Sequence, residues 1–243
     1  WFKLPIGPLE YAGFIMALIL VFRVNAGYER WWEARKLWGD MVNKSRNIAI
    51  MILSYTESGR REQEFVLKCI AAIPYLIKNL LRSNTSVEEV EHLLGDQLSQ
   101  KLADIQNRPV YVSRVVASKL AEFLQKNQLQ PMPFLKIEEQ REAVIDAQGA
   151  CERILKTPMP FVMAVKSRRF ILIFLLILPV SLVNISHIIS PLVTALVAYA
   201  LFSLDQIGVE LQNPFSIDRL SHLPLSDICK TIEGNISELF QNS

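Results

Sequence analysis

Histidine and cysteine are scarce in this 243-residue chain, with three of each. Cys69, Cys151 and Cys229 are far apart, odd in number and without C-x-x-C spacing, so neither a disulfide framework nor a zinc site follows, and buried free thiols are expected. His92, His187 and His222 stand in unrelated contexts, and no H-E-x-x-H string joins any of them. A Gly-rich phosphate loop with its Lys and a G-x-S-x-G elbow are also missing. Enzymatic chemistry therefore has no constellation to work with, and no metal site or cofactor is expected. An excess of one charge is absent as well: the net charge is +2, and the basic residues are spread along the chain, which gives no footprint for a nucleic-acid partner. Period-two alternation is missing too, so the expected fold is all-α.

What the chain does have is apolar residues, 51% against 21% charged, too many for an ordinary soluble domain and too much charge for a bundle lying wholly in lipid. The apolar residues are gathered in three segments. Tyr11 to Phe22 is wholly apolar, aromatic or Gly, but is shorter than the roughly 20 residues a span needs, so protein must protect its ends. Phe170 to Val183 follows the basic trio Lys166, Arg168 and Arg169, and Ile185 to Leu204 follows in turn, interrupted by Pro191. The last two read as a transmembrane hairpin. Its connection, Asn184-Ile185-Ser186-His187, has no Lys or Arg, so the positive-inside rule places it outside and Lys166 to Arg169 inside. Arg23, Arg30, Arg35 and Lys36 after the first segment, against Lys3 before it, orient that segment from outside to inside. Trp1 to Glu10 has no signal-peptide signature, and the chain is expected to begin partway through a longer protein, with another span upstream.

Between about Glu29 and Thr157 the chain is charged and apolar at helical spacing. Leu53, Phe65, Leu67, Ile70, Ile73, Leu76, Ile77 and Leu80 belong to amphipathic helices, with a break or kink expected at Pro74. Val87, Val90, Leu93, Leu94 and Leu98 repeat at threes and fours behind Ser86, a helix cap before Glu88 and Glu89. Arg114 to Gln130 and Lys136 to Leu155 read as two more helices, separated by Pro131 and Pro133. The acidic pairs Glu88-Glu89 and Glu138-Glu139 read as solvated helix faces.

Two strings carry a resemblance. The stretch Phe22-Arg23-Val24-Asn25-Ala26-Gly27-Tyr28-Glu29-Arg30-Trp31-Trp32-Glu33-Ala34-Arg35-Lys36-Leu37-Trp38-Gly39 and the stretch Glu210-Leu211-Gln212-Asn213-Pro214-Phe215, followed by Leu223-Pro224-Leu225, resemble the signatures of the bestrophin ion channels, most closely their prokaryotic branch. The resemblance covers essentially the whole chain, apart from the family's first transmembrane helix. Its signature positions here are Arg23, Asn25, Arg30, Trp31, Trp32, Glu33, Arg35, Trp38, Gly39, Asn213, Pro214 and Phe215.

The resemblance implies membrane-embedded pore helices plus a cytosolic helical domain, assembled as a homopentamer about one pore. It implies a pore-lining transmembrane helix over 1–28, a cytosolic helical region over 29–160, a transmembrane hairpin over 161–204 and a C-terminal cytosolic segment over 205–243. Matched on the Phe-Arg junction, the family's hydrophobic neck falls on Phe14, Leu18 and Phe22, whose i, i+4, i+8 spacing makes one stripe on a helix. Val21 stands where relatives commonly have Gly. A second, cytosolic constriction is expected near Met132. Vertebrate relatives hold calcium through an acidic run after the Asn-Pro-Phe string; here Glu210, Asn213 and Asp218 are followed by Arg219, Leu220 and Ser221, which speaks against calcium activation.

The expected partners are permeant small ions and membrane lipid, and the expected location is a bacterial inner membrane. Phe edges and the positive charges of Arg23, Arg30 and Arg35 favour an anion such as chloride, whereas Glu29, Glu33 and Asp40 oppose it if they face the cavity. A monovalent-cation (sodium or potassium) channel of the same fold and a non-conducting membrane scaffold are the alternatives.

Overall fold

The computed structural model describes residues 7–183 and 187–243. Among the described residues there are eight helices: α1 (Gly7–Tyr55), α2 (Arg60–Leu81), α3 (Glu88–Ala103), α4 (Arg108–Gln125), α5 (Pro131–Lys156), α6 (Phe161–Leu182), α7 (Ile189–Glu210) and α8 (Leu225–Gln241). Extended pairing among them is limited to a single antiparallel bridge between Thr56 and Leu129. Most of the expected polar connection after α6, residues 184–186, lies outside the described residues, as does Lys3.

The chain forms two compact units, which divide α1 at Glu33 and Ala34. The first takes the start of α1 together with α6, α7 and the turns that follow α7. α1 and α7 each contain a window apolar and long enough to cross a membrane, with mean hydropathy 1.6 and 1.7. Only 17% of each window is buried within the chain, whereas the core helix of a soluble protein is mostly covered. α6 has no charged residue from Phe170 to Leu182, and it packs along α7.

The second unit is built around α2, which packs against α3, α4, α5 and α8. Leu67, Ile70, Ile73, Leu76 and Ile77 are all buried, so α2 is covered nearly all round. That burial explains why the helix runs through Pro74 without the break that was one of the two expected outcomes there. The proline costs about 3 kcal/mol, but each buried aliphatic side chain contributes about 1.5–3 kcal/mol. α5 also corrects the reading from sequence, since it begins at Pro131 and not at Lys136. Both prolines fall in its first turn, where a missing N–H leaves no helical hydrogen bond unmade.

Ser86 Oγ accepts from the Glu88 N–H at 3.2 Å, as a residue opening a helix does, while α3 itself kinks at Gly95, whose φ of 71° is open to glycine at little cost. α8 buries Leu225, Cys229, Ile232 and Ile236 at intervals of four, three and four. The reading of Glu89 as merely solvated needs correction too. Its carboxylate receives the ammonium of the buried Lys78 at 2.7 Å, and nearby Glu233 accepts from the Tyr75 hydroxyl at 2.6 Å and lies 2.8 Å from His92 Nε2. A buried ammonium is tolerated only with such a partner.

All three cysteines are buried and none is in a disulfide. Burial pushes the Cys69 and Cys229 thiols up to about 12, so neither ionises at neutral pH. The folded protein at pH 8 should therefore leave Ellman's reagent unreacted and release three thiols once denatured. Rapid titration of any thiol in the folded state would contradict this packing.

Candidate functional site

In the first unit α1 buries Met16, Leu20, Arg23 and Gly27 at intervals of four, three and four. This spacing of about 3.7 residues, close to the helix's own period of 3.6, keeps one seam of the helix against its neighbours. Met16 and Leu20 join Ile171 and Phe174 of α6 and Leu201 of α7 in an apolar cluster. Gly13 lets the Phe174 ring approach closely: a Cβ there would lie 3.4 Å from the ring.

Phe14, Leu18 and Phe22 lie on the other side of α1. At 100° per residue Leu18 stands about 160° from both Met16 and Leu20, which is directly away from the seam. Phe14 and Phe22 flank it, each about 6 Å along the axis and about 40° around. All three are open to the surroundings, at 72%, 44% and 60% exposure. Tyr11, Ile15, Ile19 and Val21 beside them are exposed as well, and an apolar face this broad marks a surface that meets something other than water. The stripe continues as Asn25 and Glu29, seven residues after Leu18 and Phe22, and there it turns polar. Both are exposed.

Arg23 holds the roll of α1. Its side chain, 1% exposed, turns into the seam, where Nη1 donates to Ser167 Oγ of α6 at 3.1 Å and pairs with Asp205 Oδ1 of α7. The other oxygen of Asp205 receives Arg168 Nε at 2.9 Å. Gly208, one turn beyond Asp205, makes room for the Arg23 stem, since a Cβ there would meet Arg23 Cγ at 3.4 Å. Gly27 gives the next close approach of α1 to α7, with Leu211 Cβ 3.1 Å from where its own Cβ would stand.

The other signature residues form contacts of their own. Arg30 donates through Nη1 to the Thr157 carbonyl at 2.7 Å and through Nη2 to the Gln212 carbonyl at 3.3 Å, while Trp31 Nε1 donates to the Ser221 carbonyl at 2.7 Å. Tyr28, Trp31 and Trp32 stack with ring centroids 6.4–6.5 Å apart. Trp38 is fully buried and Phe215 equally so, the latter accepting from Arg82 Nε through its carbonyl at 3.0 Å. Gly39 leaves space for Arg35, and Glu33 is half-buried beside the charge of Arg30. Met132 is exposed in the first turn of α5.

Two of the three cations expected to favour an anion, Arg23 and Arg30, turn into the protein, while Arg35 stays exposed. Arg23 points away from the stripe and shares Asp205 with Arg168, and Arg30 donates to backbone carbonyls. Glu210 is likewise engaged, accepting from the Leu220 N–H at 3.2 Å and from Gln206 Nε2 at 3.0 Å, with Arg219 Nη1 at 3.6 Å. Among the described residues no three His, Cys, Asp or Glu side chains are placed to hold a metal ion.

Asp205 and its partners Ser167 and Gly208 were not singled out from sequence. The available signal was a lone Asp ending one apolar run and a lone Arg ending another, because ionisable groups at such positions need partners.

A family model described as "Bacterial/Fungal Bestrophin protein" matches residues 1–238. A voltage-dependent anion channel-forming protein of Synechocystis sp. is 32% identical over 99% of this chain and 79% of its own length. One of the same description from Nostoc sp. is 34% identical over 93% of this chain and 74% of its own length. The fold matches the crystal structure of a bacterial bestrophin homologue from Klebsiella pneumoniae, with a TM-score of 0.93 at 23% identity, covering 99% of this chain and 89% of that one.

Removing one member of a buried ion pair strands the other's charge. Asp205→Asn should lower stability by about 3–5 kcal/mol, whereas the double replacement Arg23→Met with Asp205→Leu should recover part of that loss, since Arg168 still loses its partner. Thermal unfolding in detergent tests both, and an Asp205→Asn protein as stable as its parent would remove the pair from its structural role.

Proposed function

Because this chain belongs to the bacterial and fungal bestrophin family, we propose that it is the pore-forming subunit of an anion channel whose hydrophobic neck is made by Phe14, Leu18 and Phe22. It is an integral membrane protein and not an enzyme. The observation that carries the neck is the apolar stripe itself, exposed on a membrane-length helix and aimed directly away from that helix's buried seam. Around a central axis, five copies stack three apolar rings, and such a constriction gates by shedding its water. Two of the rings are phenyl, whose electropositive edges can face a passing anion.

Two relatives named as anion channel-forming proteins support an anion as the permeant ion, and chloride is the anion to test. One observation favours the monovalent-cation reading: Arg23 and Arg30 are withdrawn from the stripe, and Glu29 remains on it. The pentamer gains support from α7, where Leu192, Leu196 and Tyr199 recur at intervals of four and three and are 73%, 69% and 74% exposed. In this reading the helices of the second unit form the cytosolic domain, and Met132 lines its constriction.

In bilayers holding asymmetric salt, the reversal potential should follow the chloride gradient. One that tracks sodium or potassium and ignores chloride would establish the cation reading. The triple variant Phe14→Ala, Leu18→Ala, Phe22→Ala should raise single-channel conductance or open probability, and unchanged current would take these residues out of the pore. Mass measurement in detergent should give five subunits, and a stable monomer or dimer would contradict the assembly.

A further inference from the structure

We infer that Glu29 is a selectivity-determining residue: its carboxylates form a negative ring on the inner side of the neck that draws cations and opposes anions. This rests on the reading of the α1 stripe as the pore wall.

The inference comes from accounting for the charges on α1 from Gly7 to Glu33, which are Glu10, Arg23, Glu29, Arg30 and Glu33. Arg23 is in the seam with Asp205. Arg30 donates to the carbonyls of Thr157 and Gln212. Glu33 is half-buried and makes contacts of its own, with Arg30's charge beside it. Glu10 lies about 80° around the helix from Leu18, above the neck and not below it.

Glu29 alone among them is exposed, in line with the neck and without an ion pair or hydrogen bond among the described residues. It follows Phe22 by seven residues, which is two turns: about 10 Å further along the axis and within about 20° of the same direction. The roll that Arg23 and Asp205 impose on α1 therefore aims Phe22 and Glu29 together.

A carboxylate at an exposed helix position costs nothing to leave unpaired, so exposure alone says little. What gives this one a consequence is multiplication by symmetry in a narrow, water-filled vestibule, where rings of acidic side chains concentrate cations and deplete anions. The effect acts over about one Debye length, about 8 Å at physiological ionic strength, so it fades in concentrated salt. In an anion channel the ring is a brake set by charge. In a cation channel it is the attractor. The direction of its removal is the same in both.

The test is the reversal potential of the purified channel in asymmetric sodium chloride. Glu29→Gln should raise the chloride-to-sodium permeability ratio by roughly threefold or more, with a larger shift in dilute salt than in concentrated salt. Glu29→Asp should keep the parent ratio. Glu29→Cys in assembled channels, treated with an anionic and then in a separate sample a cationic methanethiosulfonate reagent, should move the ratio in opposite directions; the native cysteines are buried and stay silent.

A permeability ratio unchanged in Glu29→Gln and after both reagents, in a protein that conducts, overturns the inference and leaves the channel reading standing. Absence of current from the parent and from the triple-alanine neck variant sinks the channel reading itself. If Glu29→Gln and Glu29→Cys both fail to assemble, Glu29 serves the structure and the inference is wrong.

Discussion

The membrane unit depends on one buried contact, the pairing of Arg23 with Asp205. A charged side chain that is 1% exposed at the end of an apolar segment needs an acceptor inside the protein. Asp205, at the polar end of α7, provides it, and Ser167 and Arg168 from α6 complete the set. Three helices thus meet at one carboxylate. The two glycines at the crossing, Gly27 and Gly208, let α1 and α7 come close enough for a short contact. Buried ion pairs add little net stability compared with apolar packing, but they are directional. Here the direction matters most, because a helix packed only through Met16, Leu20 and similar side chains has no strong reason to stop at one rotation.

Once that rotation is set, the functional surface follows from helix periodicity. Seam residues recur at threes and fours, and the positions halfway between them face outward. Phe14, Leu18 and Phe22 are therefore displayed because Met16, Leu20 and Arg23 are hidden. The same logic sorts the charges on this part of α1: Arg23 and Arg30 are drawn into protein contacts, while Asn25 and Glu29 stay on the open face. A count of basic residues in the sequence would place Arg23 and Arg30 on a surface from which the structure withdraws them.

The second unit is ordered differently. Its core is carried by α2, which is covered on nearly every side and so tolerates Pro74, and its polar links are peripheral to that core. Lys78 with Glu89, and Glu233 with Tyr75 and His92, tie α2 to α3 and α8 at the edges of the apolar packing. The family's Asn-Pro-Phe string has a structural use here as well, with Phe215 buried and its carbonyl accepting from Arg82.

Read alone, the sequence determined the fold class, the three apolar segments, the family and the stripe of Phe14, Leu18 and Phe22, since each depends on local period or on a contiguous string of residues. It could not decide helix limits where propensity and packing disagree. Pro74 lies inside a helix because surrounding side chains outweigh its local cost, and α5 starts at Pro131 because a first turn leaves amide groups unpaired anyway. The apolar spacing of α8 is local and was legible but not read, whereas the kink at Gly95 was hidden because a single glycine in a helical pattern is ambiguous. Above all, only the tertiary structure decided which charges are spent: Arg23 and Asp205 are 182 residues apart, and no local rule of spacing brings them together. Charge is written in the sequence, but its field depends on burial and partners, which exist only after the chain has folded.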